Sequence, residues 1–378
     1  MNPSGRYFRV GVLTCLVLSG VATHPTASVQ VSAPPLHRVW DLRVDGGDPI
    51  RVSQNLVPLR VRGKPHKNLT LMLDAAYSSS QLRETGQPTL KLEGFSSPSI
   101  GFEWRRPGGS LAILPAVSLP LGDPRLTPDE QNVARLLALP TLGFPVRQVE
   151  RGLTAGLGLS REFRMGEGAR TSIGLGGTYR GSYVAVEGGE SYRPASELAA
   201  TLGLDLGRTE SSFQLRMDAT YRIFGADQLR DSTILEEGDQ VELHLLSLFP
   251  GDVWNAQLEV RGTIKAANRS PDPSATATNV FRWYSGDGLL IRAGTSREIG
   301  ARSRLGLQAE FLHVAGSAQT IRNGSTYAAG PWARLGLGGG VAVGADAAYL
   351  KGRMDSPGGG RIDAHGLHLS VGLMLGGE

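Results

Sequence analysis

The 378-residue sequence holds one cysteine, Cys15, and only 6% of its residues are aromatic. A lone thiol excludes a fold stapled by internal disulfides. No stretch reaches the roughly eighteen consecutive apolar residues of a membrane-spanning helix, so a helical membrane protein is excluded as well. Charge of one sign is also scarce: the formal net charge is +4. No basic cluster is interleaved with aromatics, which argues against nucleic acid as a partner. The 51 glycines follow no G-X-Y period, which removes collagen and leaves a chain of turns and crowded strands.

The N-terminus has a distinct layout. Arg6 and Arg9 precede VGVLTCLVLSGVA (Val10–Ala22), and small residues and a proline follow. This is the pattern of a secretory signal peptide, with an apolar core too short to cross a bilayer as a helix. Cleavage is expected near Ala22, Ala27 or Ala33, so residues 1–33 are assigned to the signal and 34–378 to one domain. Cys15 falls inside the signal, and Thr14 before it is not the small residue that a lipid-attachment site would carry there.

What the rest of the chain has is alternation. In SSFQLRMDATYRIFG, Phe213, Leu215, Met217, Ala219, Tyr221 and Ile223 alternate with Gln214, Arg216, Asp218, Thr220 and Arg222. A period of two is that of a β-strand with unlike faces. LTAGLGLSREF, SELAATLGLDLG, WNAQLEVRGTIKA, SRLGLQAEF and GLHLSVGLML repeat the scheme. Many runs last about ten residues, longer than the usual soluble strand but the length a tilted strand needs to cross hydrocarbon. Without an apolar helix, only a closed β-barrel can span a bilayer.

Short polar links (RMGEGA, RTES, PGD, REIGAR, GGG) alternate with longer ones (VEGGESYRPAS, GADQLRDSTILEEG, NRSPDPSATAT, GSAQTIRNGS, DSPGGGRID). Outer-membrane barrels place short turns at the periplasmic end and long loops outside. Five weaker strands precede these: HRVWDLRV, PIRVSQNLVPLRV, LTLMLDAAYS, SIGFEWR and LAILPAVSL. Pro58 and Pro115 interrupt two of them and should mark bulges or strand ends. The fold expected is therefore an all-β, antiparallel transmembrane barrel of about sixteen strands. The count falls to fourteen if HRVWDLRV and its partner lie outside the wall. Tyr77, Trp104, Tyr179, Tyr221, Phe224, Trp254, Phe311 and Tyr349 are expected at the membrane interfaces.

One segment is helical. In LTPDEQNVARLLALP, Thr127 and Glu130 form a capping box, Pro128 takes the first helical position, and Val133, Leu136 and Leu137 make an apolar stripe ending at Pro140. This short helix belongs to a long extracellular loop, expected to pack on the barrel rim rather than to fold into the lumen.

These elements resemble those of bacterial outer-membrane β-barrels, in particular a transporter-like group that includes the phenol meta-pathway proteins. The resemblance rests on Leu119–Gly122, the helix Pro128–Leu139, Gly143–Val146 and Gly181–Tyr183. It implies a pore or transporter in the outer membrane, in contact with the lipid bilayer, the assembly machinery and a small-molecule solute. It carries over no catalytic residue and no cofactor. The chain departs from the group in ending LMLGGE rather than in an aromatic residue, with Leu375 nearest that role.

If apolar faces meet lipid, the polar faces line a lumen holding Arg216, Asp218, Arg222, Glu259, Arg261, Lys265, Arg292, Arg304, Glu310, Arg334 and Asp346. Such mixed charges can brace the wall as ion pairs or bias the passage of polar or anionic solutes. An arginine excess points to mild anion preference. No metal site is read: His365 and His368, three apart on a strand, point to opposite faces. His244 beside Glu242 is the residue a barrel-embedded hydrolase would use. A pore for small polar or aromatic molecules leads. An adhesion barrel with binding loops and the barrel hydrolase are the alternatives.

Overall fold

The computed structural model describes residues 28–44, 47–108, 110–121, 125–146, 152–207, 213–269, 286–300, 302–315, 323–355 and 360–376. Most of the expected signal segment therefore lies outside the described residues.

The strands are β1 (Ser28–Ala33), β2 (Leu36–Val44), β3 (Ile50–His66), β4 (Leu69–Glu84), β5 (Leu90–Arg105), β6 (Leu111–Ser118), β7 (Thr154–Arg164) and β8 (Ala169–Arg180). They continue with β9 (Tyr183–Val184), β10 (Ser191–Arg193), β11 (Glu197–Leu206), β12 (Gln214–Phe224), β13 (Ala226–Leu229), β14 (Ser232–Glu236) and β15 (Gln240–Phe249). The last are β16 (Trp254–Lys265), β17 (Gly288–Glu298), β18 (Ser303–Ala315), β19 (Asn323–Gly338), β20 (Val341–Asp355) and β21 (Arg361–Leu375). The described helix α1 spans Pro128–Leu137, and a 3-10 turn follows at Pro140–Leu142.

Seventeen strands form one sheet, and β9, β10, β13 and β14 form a separate four-stranded sheet in the loops. Every pairing in the large sheet is antiparallel. β1 and β2 are two halves of one stave: both pair with β3 on one side and β21 on the other. That stave closes the sheet, giving a barrel of 16 strands. HRVWDLRV is thus part of the wall, and the fourteen-strand count falls away. Closure matters because a strand edge facing hydrocarbon would leave a row of unpaired backbone groups.

Prolines sit where the ladder is already broken. Pro34 and Pro35 separate β1 from β2, and Pro58 in β3 stands opposite that break, between the paired residues Leu56 and Arg60. Pro115 lies in β6 where its pairing with β5 lapses between Gly101↔Ala116 and Trp104↔Ile113. Neither proline ends its strand, contrary to one sequence expectation. A neighbouring strand that offers no acceptor loses nothing to a missing N–H.

Two aromatic belts ring the outside. Phe102, Trp104, Phe163, Phe213, Phe249 and Trp254 lie toward the end that holds Ser28 and Leu375. Tyr179, Tyr221, Tyr327 and Tyr349 lie toward the other end, with Phe311 packed on Tyr327 and Phe95 on Tyr77. Along β7–β8 and β12 the belts are separated by roughly 20 Å of height, taking about 3.3 Å rise per residue and a tilt near 40°. Between them the outward side chains are mostly apolar and bare: Leu175, Leu198, Ile264 and Val371 are 62%, 64%, 62% and 61% exposed, and the outward Arg161 bends its guanidinium over the Phe163 ring of the near belt, 5.0 Å from its centre. No water-soluble surface keeps a continuous apolar band of this height. Phe224 is a correction: it shares the inward face of Arg222, with the Lys265 ammonium 5.9 Å from its ring.

The wall is taller on one side. β3, β4, β5 and β19 have 17, 16, 16 and 16 residues, whereas β7, β11, β12 and β15 have 11, 10, 11 and 10. The short strands stop near the far belt; the tall ones rise past it. Beyond the belt their polarity inverts. Trp40, Leu42, Val52, Leu56, Leu82, Leu92, Leu350 and Met354 point inward and are buried, while Asp41, Arg51, Arg83, Lys91, Lys351 and Arg353 point out. Lower on the same strands Val57, Leu71, Ile100 and Phe102 point out and are exposed.

Closure can be checked directly. Val39 in β2 faces Leu367 in β21 across the seam, within the Cα separation a disulfide accepts. Val39→Cys with Leu367→Cys should oxidise to a single cross-link in the folded barrel and raise the temperature at which it unfolds in detergent. Failure to form it would mean that the seam is open.

Candidate functional site

The inverted upper face exists to receive the helical loop. Thr127 caps α1 reciprocally with Glu130, the Glu130 carboxylate accepting from the Thr127 N–H at 2.8 Å and the Glu130 N–H reaching the Thr127 hydroxyl at 3.4 Å. The helix packs on β5, β4 and β3, and the 3-10 turn packs on β18, β19 and β20. Val133, Leu137, Leu142 and Phe144 form one core with Trp40, Val52, Leu82, Leu350 and Met354 of the wall. The loop is therefore folded inside the barrel, which corrects the expectation of packing on the rim. Four such side chains, at about 1.5–3 kcal/mol each, give an upper figure of order 10 kcal/mol for holding it there.

Polar contacts fix its position. Trp40 Nε1 donates to the Leu142 carbonyl at 2.9 Å, and the Arg38 guanidinium donates to the carbonyl of Gly143. Gln54, fully buried, donates to the Val146 carbonyl at 2.7 Å and accepts from the Val146 N–H at 3.2 Å. Gly143 has φ 59°, and a Cβ there would stand 2.6 Å from an Arg38 nitrogen, so the turn requires glycine.

The opposite, short half of the wall carries charge. Arg180 of β8 binds Glu197 of β11 at 2.8 Å, and Glu197 also binds Arg222 of β12. Arg222 approaches Glu242 of β15 at 3.7 Å, and Glu242 approaches Arg261 of β16 at 3.8 Å. Arg261 binds Glu259 at 3.0 Å, Glu259 meets Arg292 of β17 at 3.4 Å, and Arg292 binds Glu310 of β18 at 2.6 Å. Cation and anion alternate along this belt, so each member sits in the field of opposite charges on either side. Exposed single pairs contribute little, but a continuous network restrains its members together.

Beside the belt, against the inner wall of the β1–β2 stave and β16–β21, lies a cavity of about 660 Å³. Arg38, Gln257, Glu259, Arg292, Glu310, Trp332, Arg334, Asp346 and His368 are among its lining residues. His368 Nε2 is 2.7 Å from Asp346. Arg334 has no ion pair among the described residues. Seven of the residues singled out from sequence thus bear on this cavity or its belt: Arg222, Glu259, Arg261, Arg292, Glu310, Arg334 and Asp346.

The remaining four belong neither to the belt nor to the cavity lining. Arg216 pairs with Asp218 at 2.9 Å near the end holding the termini, and Arg304 pairs there with Glu298 at 2.6 Å. Lys265 is 4% exposed, its ammonium covered by Glu237 and Phe224. His244 lies between Asp218 at 3.5 Å and Glu259 at 3.2 Å, and no hydroxyl bonds to it among the described residues. Nothing there forms a nucleophile–base pair. His365 faces out toward the Tyr349 hydroxyl at 2.9 Å, away from His368. No group of His, Cys, Asp and Glu among the described residues is placed to hold a metal ion.

Sequence reasoning missed Arg38, Arg180, Glu197 and Trp332, and weighed His368 only as a metal ligand with His365. Counting parity outward from Arg222, Arg334 and Asp346 along and across the strands would have found all but Arg38, which lies beyond the Pro34–Pro35 break.

No protein-family model matches the chain, and no curated protein does. Solved structures do align with it at low identity. The outer membrane protein opdK from Pseudomonas aeruginosa aligns at TM-score 0.46 and 10% identity, over 93% of this chain and 99% of that one. Pseudomonas aeruginosa OccK2 (OpdF), in complex with glucuronate, gives 0.44 and 10%, over 93% and 96%. OccD3 (OpdP) of the same organism gives 0.44 and 11%, over 93% and 92%.

Gln54→Leu tests the anchoring of the loop. It removes the bonds to Val146 and to Ser80 while keeping an apolar side chain of similar bulk. The buried Val146 amide and carbonyl would be left unsatisfied, at a cost of about 2–4 kcal/mol. The measurement is protease nicking within 125–146 on the folded barrel, which should be faster in the variant while the wall stays resistant.

Proposed function

We propose that this chain is a channel of the bacterial outer membrane that passes small polar molecules through the space between loop and ion-pair belt. The observation that carries the reading is the pairing of a bare apolar outer band with a charged inner cavity in one closed wall. Hydrocarbon solvates the first and water the second, and only a closed barrel reconciles them. The end holding Ser28 and Leu375 would face the periplasm, since the short turns 67–68, 165–168 and 339–340 lie there. β1 is hydrogen-bonded into the wall, which favours export cleavage at or before Ala27 over cleavage at Ala33.

The belt is neutral in sum, so selectivity falls to cations outside it. Arg62, Arg164, Arg170 and Arg334 have no carboxylate partner among the described residues and stand on inward positions of β3, β7, β8 and β19. Arg164 and Arg170 face each other across the β7–β8 pair. All four lie toward the end that holds Ser28 and Leu375, where a polar solute would meet this excess, and Trp332 offers a flat face beside Arg334 for an aromatic or sugar-like ring. Charge rings of this kind bias permeation without binding tightly.

Two electrical measurements test the proposal. In planar bilayers the protein should give discrete conductance steps with a reversal potential favouring anions, and Arg164→Glu with Arg170→Glu should shift it toward cations. Replacing 125–146 by a short Gly/Ser link should raise the conductance several-fold. A barrel that stays electrically silent with the loop removed contradicts the channel reading.

A further inference from the structure

The outward face of the tall half carries a row of cations, only partly neutralised, just above the far aromatic belt. The height is set by contacts: the Tyr349 hydroxyl bonds His365 at 2.9 Å, and the Tyr77 hydroxyl lies 3.4 Å from Glu93. One step farther out come Lys351, Asp41, Arg51 and Arg83, with Lys91, Arg43 and Arg353 alongside. Two of these cations are neutralised locally. Asp41 takes Arg51 through two bonds of 2.6 and 3.0 Å, and Asp363 stands 3.5 Å from Arg353.

Arg43, Arg83, Lys91 and Lys351 form no ion pair with a described residue, and all four are exposed. Arg83 stands across the β3–β4 ladder from Arg51, whose charge Asp41 already takes up, so Arg83 itself is left open. Exposed like charges gathered on one face repel, and an anion lying over them relieves that repulsion. The wall of the short half ends at the belt and, among the described residues, has no such row.

We infer that this row binds the phosphate groups of a glycolipid headgroup in the outer leaflet, an inference that rests on the membrane-spanning reading. The cations stand at the depth where such phosphates lie, just outside the hydrocarbon, and their sign is complementary. The glycolipid would span several strands of the tall half and brace the part of the wall that carries the loop. It makes no contact with the lumen, because Leu42, Leu82, Leu92 and Leu350, one residue away on each strand, point inward.

The test is native mass spectrometry of the full-length barrel in neutral detergent, titrated with lipid A and with dephosphorylated lipid A. The protein should hold lipid A and release the dephosphorylated form, and R43S/R83S/K91S/K351S should weaken binding of lipid A at least ten-fold. Heat-modifiable mobility on gels reports whether that variant is folded; R83S/K351S carries the test, with a smaller loss, if it is not. Equal binding by variant and wild type, or equal retention of the dephosphorylated lipid, would overturn the inference. So would displacement of the lipid by millimolar inorganic phosphate, which would mark an anion site only. Phosphate-dependent binding by a barrel without conductance would leave this inference standing while removing the channel proposal.

Discussion

In hydrocarbon a backbone N–H or C=O has no water to turn to, and each one left unpaired costs several kcal/mol. That constraint dictates the path of this chain from Ser28 onward. It forces the first stave, though broken by two prolines, to pair on both sides, with β3 and with β21. It also places Pro58 and Pro115 opposite gaps in the ladder, where a missing donor has no acceptor to disappoint. Once the wall is closed, side chains have only two environments to choose between, and the alternation of the sequence follows from that choice.

The tall half adds a third environment. Above the far belt the outside of the wall meets water, and the inside meets the loop 125–146. Trp40, Val52, Leu82 and Met354 therefore turn inward where, lower down, Val57, Leu71 and Phe102 turn outward. The same strand serves as membrane wall below and as one layer of a small globular core above. The inner space is divided accordingly. One side is filled by the loop through apolar packing and the Gln54 clasp, and the other is lined by the alternating Arg–Glu belt.

This inversion also explains what the sequence disclosed. β7, β8, β11, β12, β15 and β16 lie wholly within the membrane band, so their alternation keeps one phase and reads cleanly. β2 to β5 change phase midway: in β3 the apolar positions above the belt are the inward Val52 and Leu56, and below it Val57, Leu59 and Val61 take the other face. An average over the run weakens, and these strands read as marginal. The helix was legible from Thr127, Pro128 and Glu130, because capping is local. Its position was not, because an apolar stripe does not name its partner. The missing signal was the phase slip itself, which marks an apolar inner wall that some segment must cover. The charged residues followed strand parity, but parity cannot say that Lys265 would be sealed by Glu237 and Phe224 while Arg334 stayed open.

The central claim is that a single strand changes solvent partway along its length. It is tested by nitroxide labels at single cysteines along β3, measuring collision with oxygen, which concentrates in lipid, against a water-soluble nickel chelate. The account predicts that Val57→Cys is lipid-accessible, that Ser53→Cys and Asn55→Cys meet the chelate, and that Val52→Cys meets neither. An unbroken alternation between lipid and water along the whole strand, with Val52 open to the chelate, would contradict it.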